Sequence, residues 1–207
     1  MLWFFSTVLT GAIAFAATNI DDLLVLMLFF SQASFTKTQI YLGQYLGLGG
    51  IVACSLLGFL GGLLIPQAWI GLLGLLPIFL GIRAIVTREE GDEIQGATLP
   101  NNPMTKFLLR FFQPDVLSVT IVTFANGGDN IATYIPLFAS LDGQRLAIVL
   151  AVFVILVAVW CAIANWLASH PAIAPVLERY NRILVPIVLI GLGIYILIEN
   201  ETWKIFS

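Results

Sequence analysis

Three aspartates interrupt sequence that otherwise avoids charge: Asp21 and Asp22 follow Ala17-Thr18-Asn19-Ile20, and Asp129 follows Asn126-Gly127-Gly128. On a helix, Thr18 and Asn19 precede Asp21 and Asp22 by about one turn, so hydroxyl, amide and carboxylate oxygens share one face. Asn126, Asp129, Asn130 and Thr133 repeat that spacing in the second segment. The set is rich in acceptors and net anionic, and its natural guest is a cation. An ionisable group in the middle of an apolar span costs at least about 2.5 kcal/mol on insertion scales. Polar groups that only glue helices together are usually Asn and Thr, or include the opposite charge. Here the nearest basic residue, Arg83, lies toward the end of its apolar stretch and is expected to snorkel to the surface. Three uncompensated carboxylates therefore favour a bound metal ion. Oxygen donors suit hard divalent ions such as manganese, magnesium or calcium. Cys54 and Cys161 are further candidates through sulfur, although a small buried cysteine normally serves packing.

The elements that must hold these residues follow from composition. The chain has 207 residues, 59% hydrophobic and 10% charged, against roughly a quarter charged in an ordinary soluble domain. So few charges cannot clothe a soluble domain, and lipid is expected to cover most of the exterior. A net charge of −3 shows no basic excess for nucleic acid. Two cysteines inside apolar stretches make neither a disulfide framework nor a zinc pattern. The N-terminus has no basic n-region and no A-x-A site, so it reads as a retained span. Six segments meet the length of a span, about 20 mostly apolar residues: 4–30, 40–64, 68–87, 115–139, 145–168 and 183–199. Residues 88–113 carry Arg88, Glu89, Glu90, Asp92 and Glu93 and then Pro100, Asn101, Asn102 and Pro103. They read as a flexible cytosolic linker, the acids being a solvated run rather than a metal-gathering loop.

With six spans, Lys37, Arg83, Arg88, Lys106, Arg110, Arg179 and Arg182 fall on one side, and Arg145 and Lys204 on the other. The positive-inside rule then puts both termini outside. Trp3, Trp69, Trp166 and Trp203 lie near expected span ends, where indoles anchor at the interface. Gly43, Gly47, Gly50, Gly58, Gly61 and Gly62 in the second span are assigned to close helix packing. His170, followed by Pro171, is read as solvent-facing.

An internal repeat organises the chain. Asp21 and Asp129 are 108 residues apart, Cys54 and Cys161 are 107 apart, and Leu80-Gly81-Ile82 matches Leu192-Gly193-Ile194 at 112. Two three-helix units are implied, residues 1–87 and 114–207. Each crosses an odd number of times, so the second lies inverted relative to the first, as is common in secondary transporters. The expected fold is an all-α membrane protein of six transmembrane helices in a 3+3 inverted repeat. Gly127-Gly128 and Pro136, which cannot donate to the Ala132 carbonyl, should weaken the fourth span. Backbone broken at this depth is tolerated where it lines a cavity. No Gly or Pro flanks Asp21, so nothing local announces a break in the first span.

The pair Ala17-Thr18-Asn19-Ile20-Asp21-Asp22 and Phe124-Ala125-Asn126-Gly127-Gly128-Asp129-Asn130-Ile131, on a chain of this length with a mid-chain linker, resembles the cadmium-resistance transporter (CadD-type) family of the lysine-exporter superfamily. The resemblance spans essentially the whole chain. It implies an inner-membrane exporter of cadmium or a related divalent cation, with Asn19, Asp21, Asp22, Asn126, Asp129 and Asn130 as the functional positions. Thr18 and Thr133 are additional candidates from their spacing. The metal is cargo, so no cofactor and no enzymatic activity are expected. Partners are the cation, the lipid bilayer and protons, with a homodimer left open. Three ionised carboxylates with no metal are costly, so alternating access is expected to exchange metal for protons. Two other readings compete. An intramembrane aspartyl protease needs two carboxylates sharing a proton, but Asn126 stands where the GxGD motif of such enzymes has Gly, and the repeat would be unexplained. A small amino-acid exporter would want a cationic partner for the substrate carboxylate, and the spans offer none.

Overall fold

A computed structural model of the chain describes residues 2–62, 64, 67–86, 112–170 and 174–205. The elements are α1 (Leu2–Asn19), α2 (Asp22–Ser31), α3 (Lys37–Gly62), α4 (Gln67–Gly71), a 3-10 turn at Leu72–Gly74, α5 (Leu75–Val86), α6 (Pro114–Asn126), α7 (Gly128–Ala139), α8 (Gly143–Ala168), α9 (Ala174–Glu199) and a 3-10 turn at Thr202–Ile205. Among the described residues there is no strand. Leu2–Asn19, Lys37–Gly61 and Gly143–Ala168 are long and apolar enough to cross a membrane, and Asp22–Ser31, Trp69–Arg83 and Pro186–Glu199 are shorter apolar helices. The expected linker lies outside the described residues as far as residue 111.

Local chemistry sets the helix ends. Thr36 and Gln39 form a reciprocal cap at the start of α3: the Thr36 N–H donates to Gln39 Oε1 at 2.8 Å, and the Gln39 N–H donates to Thr36 Oγ1 at 3.4 Å. Pro114 opens α6, where its missing N–H costs nothing. Asp142 caps α8 by accepting the Arg145 N–H at 2.8 Å.

Four of the expected spans are interrupted or differ in their bounds. The third span is not one helix: α4 and α5 are separated by the 3-10 turn, because Pro77 cannot donate to the Leu73 carbonyl and the chain tightens just before it. The fourth span does break, at Gly127 (φ −81°, ψ 19°), whereas Pro136 sits inside α7, which runs on to Ala139. The first span also breaks, between Asn19 and Asp22. The sixth helix starts nine residues before the expected Ile183, since Arg179 and Arg182 ended the apolar window without ending the helix.

Helix α3 packs along α6 and α7, α8 packs along α1 and α2, and α5 pairs with α9. The α3 contact depends on missing side chains: a Cβ at Gly47 would lie 2.6 Å from Thr123 Cβ, and one at Gly58 would run into the Ile135 carbonyl. Between α1, α7 and α8 sits an aromatic core of Phe15, Tyr134, Phe138 and Phe153, all fully buried, with ring centroids of Phe153 5.3 Å from Phe15 and 4.8 Å from Tyr134. Trp3, Trp69, Trp166 and Trp203 are each about half exposed, as interfacial anchors should be. His170 is exposed, its ring laid against Trp166. Arg83 is exposed in the last turn of α5.

Candidate metal site

Both acidic motifs lie where a helix is interrupted. In the first, the Trp160 indole N–H on α8 donates to the Asn19 carbonyl at 2.6 Å. It thereby competes for the carbonyl that a continuous helix would offer to the Leu23 N–H. The chain makes a tight turn there, with the Leu24 N–H on the Asp21 carbonyl at 3.0 Å, and α2 begins at Asp22. In the second, the Gly127 N–H turns back to the Phe124 carbonyl at 3.2 Å, and α7 restarts with the Ile131 N–H on the Gly127 carbonyl at 3.0 Å.

The two breaks meet. Asn130 Nδ2 points at Asn19 Oδ1 at 3.4 Å, and Tyr134 Oη lies 2.8 Å from both Thr18 Oγ1 and Asn19 Nδ2. Asn19, Thr18, Asn130 and Thr133 are all at most 2% exposed, and Asp22 is 5% exposed. Three oxygens in this buried layer have no hydrogen-bond partner: Asp22 Oδ2, Asn130 Oδ1 and Thr133 Oγ1. Bare buried polar atoms cost roughly 1–3 kcal/mol each, and two of these three, Asp22 Oδ2 and Asn130 Oδ1, can only accept. Asp21 and Asp129 stand close enough to add like-charge repulsion to Asp22, and they also repel each other. Asp129 is partly buried, and its Oδ1 accepts the Asn130 N–H at 2.9 Å. Asp21 and Asn126 are exposed at the edge of the cluster.

Comparison with known families matches residues 15–207 to the cadmium resistance transporters. The chain belongs to that family. It is a multi-pass membrane protein of a metal-resistance transporter family, built on apolar helices. No curated protein and no solved structure matches it.

In this chain the breaks bring Thr18 and Asn19 against Asn130 and Tyr134, with Asp21, Asp22 and Asp129 close enough to repel one another; Thr133 is buried one turn along from Asn130, and Asn126 stays on the exposed side. Among the described residues, no three His, Cys, Asp or Glu side chains gather into a metal-binding group. Cys161 is fully buried on α8 and Cys54 partly buried on α3, both as free thiols.

Four further residues shape the site without having been read from the sequence. Gln44 on α3, 2% exposed, pairs its side chain with the Asp22 carboxylate and accepts the Thr123 hydroxyl at 2.6 Å. Its signal was an amide between Gly43 and Gly47 in an otherwise apolar stretch of α3. Thr123 follows Thr120 by three positions on α6, a polar stripe in an apolar helix. Tyr134 follows Thr133 directly. Trp160 differs from the other four tryptophans in lying deep within its helix rather than near an end.

Proposed function

We propose that this chain exports a divalent metal cation by alternating access, binding it between the two helix breaks. The observation that carries the reading is the buried layer of unpartnered oxygens, Asp22 Oδ2, Asn130 Oδ1 and Thr133 Oγ1, contributed by both breaks and flanked by Asp21 and Asp129. A cation there would satisfy acceptors that no protein donor reaches and would relieve the repulsion among three carboxylates. Asn19 Oδ1 is a fourth ligand candidate, since among the described residues its hydrogen-bond partner is Asn130 Nδ2, at a long 3.4 Å.

The proposed architecture is six spans in two inverted units. The first unit is α1–α2, α3 and α4–α5, and the second is α6–α7, α8 and α9. The packing supports it: the first span pairs with the fifth, the second with the fourth, and the third with the sixth. Exchanging the two units leaves that list unchanged, as a twofold relation between them requires. Interrupted helices at the unit interface are the usual place for substrate in such folds. The distribution of basic residues supports both termini outside, in which case export would run toward the termini.

Oxygen donors favour a hard ion, and cadmium is close to calcium in size, so manganese, magnesium, calcium and cadmium are the substrates to compare. One divalent ion leaves a three-carboxylate site with a single net negative charge. Protons are the proposed counter-substrate, occupying the carboxylates once the metal has left. The test is calorimetric titration of the purified chain with manganese, magnesium, calcium, zinc and cadmium at two pH values, followed by flux in liposomes. Proton release on binding is expected, and Asp129→Asn should abolish metal-dependent flux. Unchanged flux in Asp129→Asn removes that residue from the mechanism, and the absence of binding by any of the five ions refutes the function.

A further inference from the structure

The Asn19 side chain is held from several directions. Its Nδ2 donates to the Phe15 carbonyl at 2.8 Å and to Tyr134 Oη at 2.8 Å, with Thr18 Oγ1 at 3.0 Å. Thr18 Oγ1 in turn donates to the Ala14 carbonyl at 3.1 Å. With the Thr18 proton committed to Ala14, the 2.8 Å contact between the two hydroxyls is satisfied by Tyr134 donating to Thr18. The Tyr134 oxygen is then free to accept from Asn19. Each side-chain proton of Asn19, Tyr134 and Thr18 then has an acceptor. Turning the amide over would set Oδ1 against the Phe15 carbonyl, two acceptors face to face. The amide therefore has one comfortable orientation, with Oδ1 toward Asn130 and the unpartnered oxygens.

We propose that Tyr134 is a positioning residue for the cation site: through its hydroxyl, the second broken helix fixes the Asn19 amide of the first so that Oδ1 is presented to the metal. The inference rests on the reading of Asn19 as a ligand. Tyr134 itself is not assigned as a ligand, because its hydroxyl is taken up by Thr18 and Asn19 and its ring stacks on Phe138 at 5.7 Å. A phenylalanine fills the same space, so Tyr134→Phe deletes the acceptor and leaves the packing.

The test is a double-mutant cycle on the full purified chain, titrated calorimetrically with cadmium and with manganese: wild type, Asn19→Ala, Tyr134→Phe and the double variant. Each single variant should weaken binding by about tenfold, the usual scale for one lost hydrogen bond or neutral oxygen. The double variant should bind no more weakly than Asn19→Ala, because Tyr134 acts only through Asn19. A merely structural role for the hydroxyl would give losses that multiply, and that result overturns the proposal, as does wild-type affinity in Tyr134→Phe. If Asn19→Ala binds like wild type while the other ligands still hold the ion, Asn19 and Tyr134 leave the site but the transport reading stands. If wild type binds neither ion, the transport reading itself fails. Should Tyr134→Phe lose its helical circular dichroism, Thr18→Val substitutes for it: it removes the acceptor that orients the Tyr134 proton, and the same non-additivity with Asn19→Ala is expected.

Discussion

Asp22→Asn separates the two things Asp22 does, burdening the empty site and holding the cation, because they respond with opposite sign. In the empty protein, Asp22 is 5% exposed, its Oδ2 has no partner, and ionising it would set it against Asp21 and Asp129. An asparagine keeps one oxygen and the shape but cannot ionise. The bare acceptor alone costs about 1–3 kcal/mol, so the apo variant should be more stable than wild type by about 1 kcal/mol or more. For a chain of this size that corresponds to roughly 2–4 °C per kcal/mol in melting temperature. With metal at 100 times its dissociation constant, wild type gains about 2.7 kcal/mol, a shift of roughly 5–11 °C. Loss of a charged ligand worth about 2.7 kcal/mol weakens binding about a hundredfold. At the same metal concentration the variant then gains only about 0.4 kcal/mol, roughly 1–2 °C. The assay is thermal unfolding of detergent-purified protein with and without manganese or cadmium. An apo variant that melts below wild type and still shows the full metal shift would falsify the assignment of Asp22.

Gln44→Leu should leave the Thr123 hydroxyl without its acceptor and Asp22 without its amide partner. The expected loss is about 1–3 kcal/mol of stability, read by thermal unfolding, together with weaker cation binding by titration. Trp160→Phe keeps a ring against Phe15, 5.2 Å away in the native chain, but removes the donor to the Asn19 carbonyl. The first break should then become more helix-like, seen as increased hydrogen-exchange protection at Leu23 and Leu24, and unchanged protection there argues against the indole as its cause. Gly47→Val sets a branched side chain against Thr123 and should force α3 off α6. An overpacking cost of about 1–3 kcal/mol is expected, and a variant as stable as wild type would show that the two helices separate freely.

The acids were legible because charge in apolar sequence is conspicuous at any range. The break at Gly127 was legible too, since two adjacent glycines weaken a helix by themselves. The break before Asp22 was not. The donor found on its Asn19 carbonyl is the Trp160 indole, 141 residues away in sequence, and no local rule connects a tryptophan of the fifth span to a carbonyl of the first. Pro136 shows the converse. It reads as a breaker, yet α7 continues through it to Ala139, because buried packing on both sides holds a helix that propensity alone would kink. Gln44, Thr123 and Tyr134 escaped for the same reason as Trp160: each is ordinary in its own helix and becomes polar machinery only against a partner from the other half of the chain.

Burial at the repeat offset bears on what the two motifs share. Asp21 and Asp129, 108 residues apart, are exposed and partly buried respectively. One residue later, Asp22 and Asn130 are both buried, and each keeps one oxygen without a partner. The same step from outer carboxylate to inner bare oxygen therefore recurs at the offset, which coincidental similarity of two apolar helices does not require. The chemistry is not symmetrical, however, since the inner position is an acid in one motif and an amide in the other. The buried layer carries at most one charge and the outer layer two. On the proposed reading, a divalent ion meets the two outer carboxylates first, where hydration is still available, and sheds water only against a layer of mostly neutral oxygens. An inner pair of two acids would hold the ion more tightly and release it more slowly. Asn130→Asp should accordingly tighten binding in titration while slowing flux in liposomes, and a variant that gains both affinity and rate would count against this division of labour.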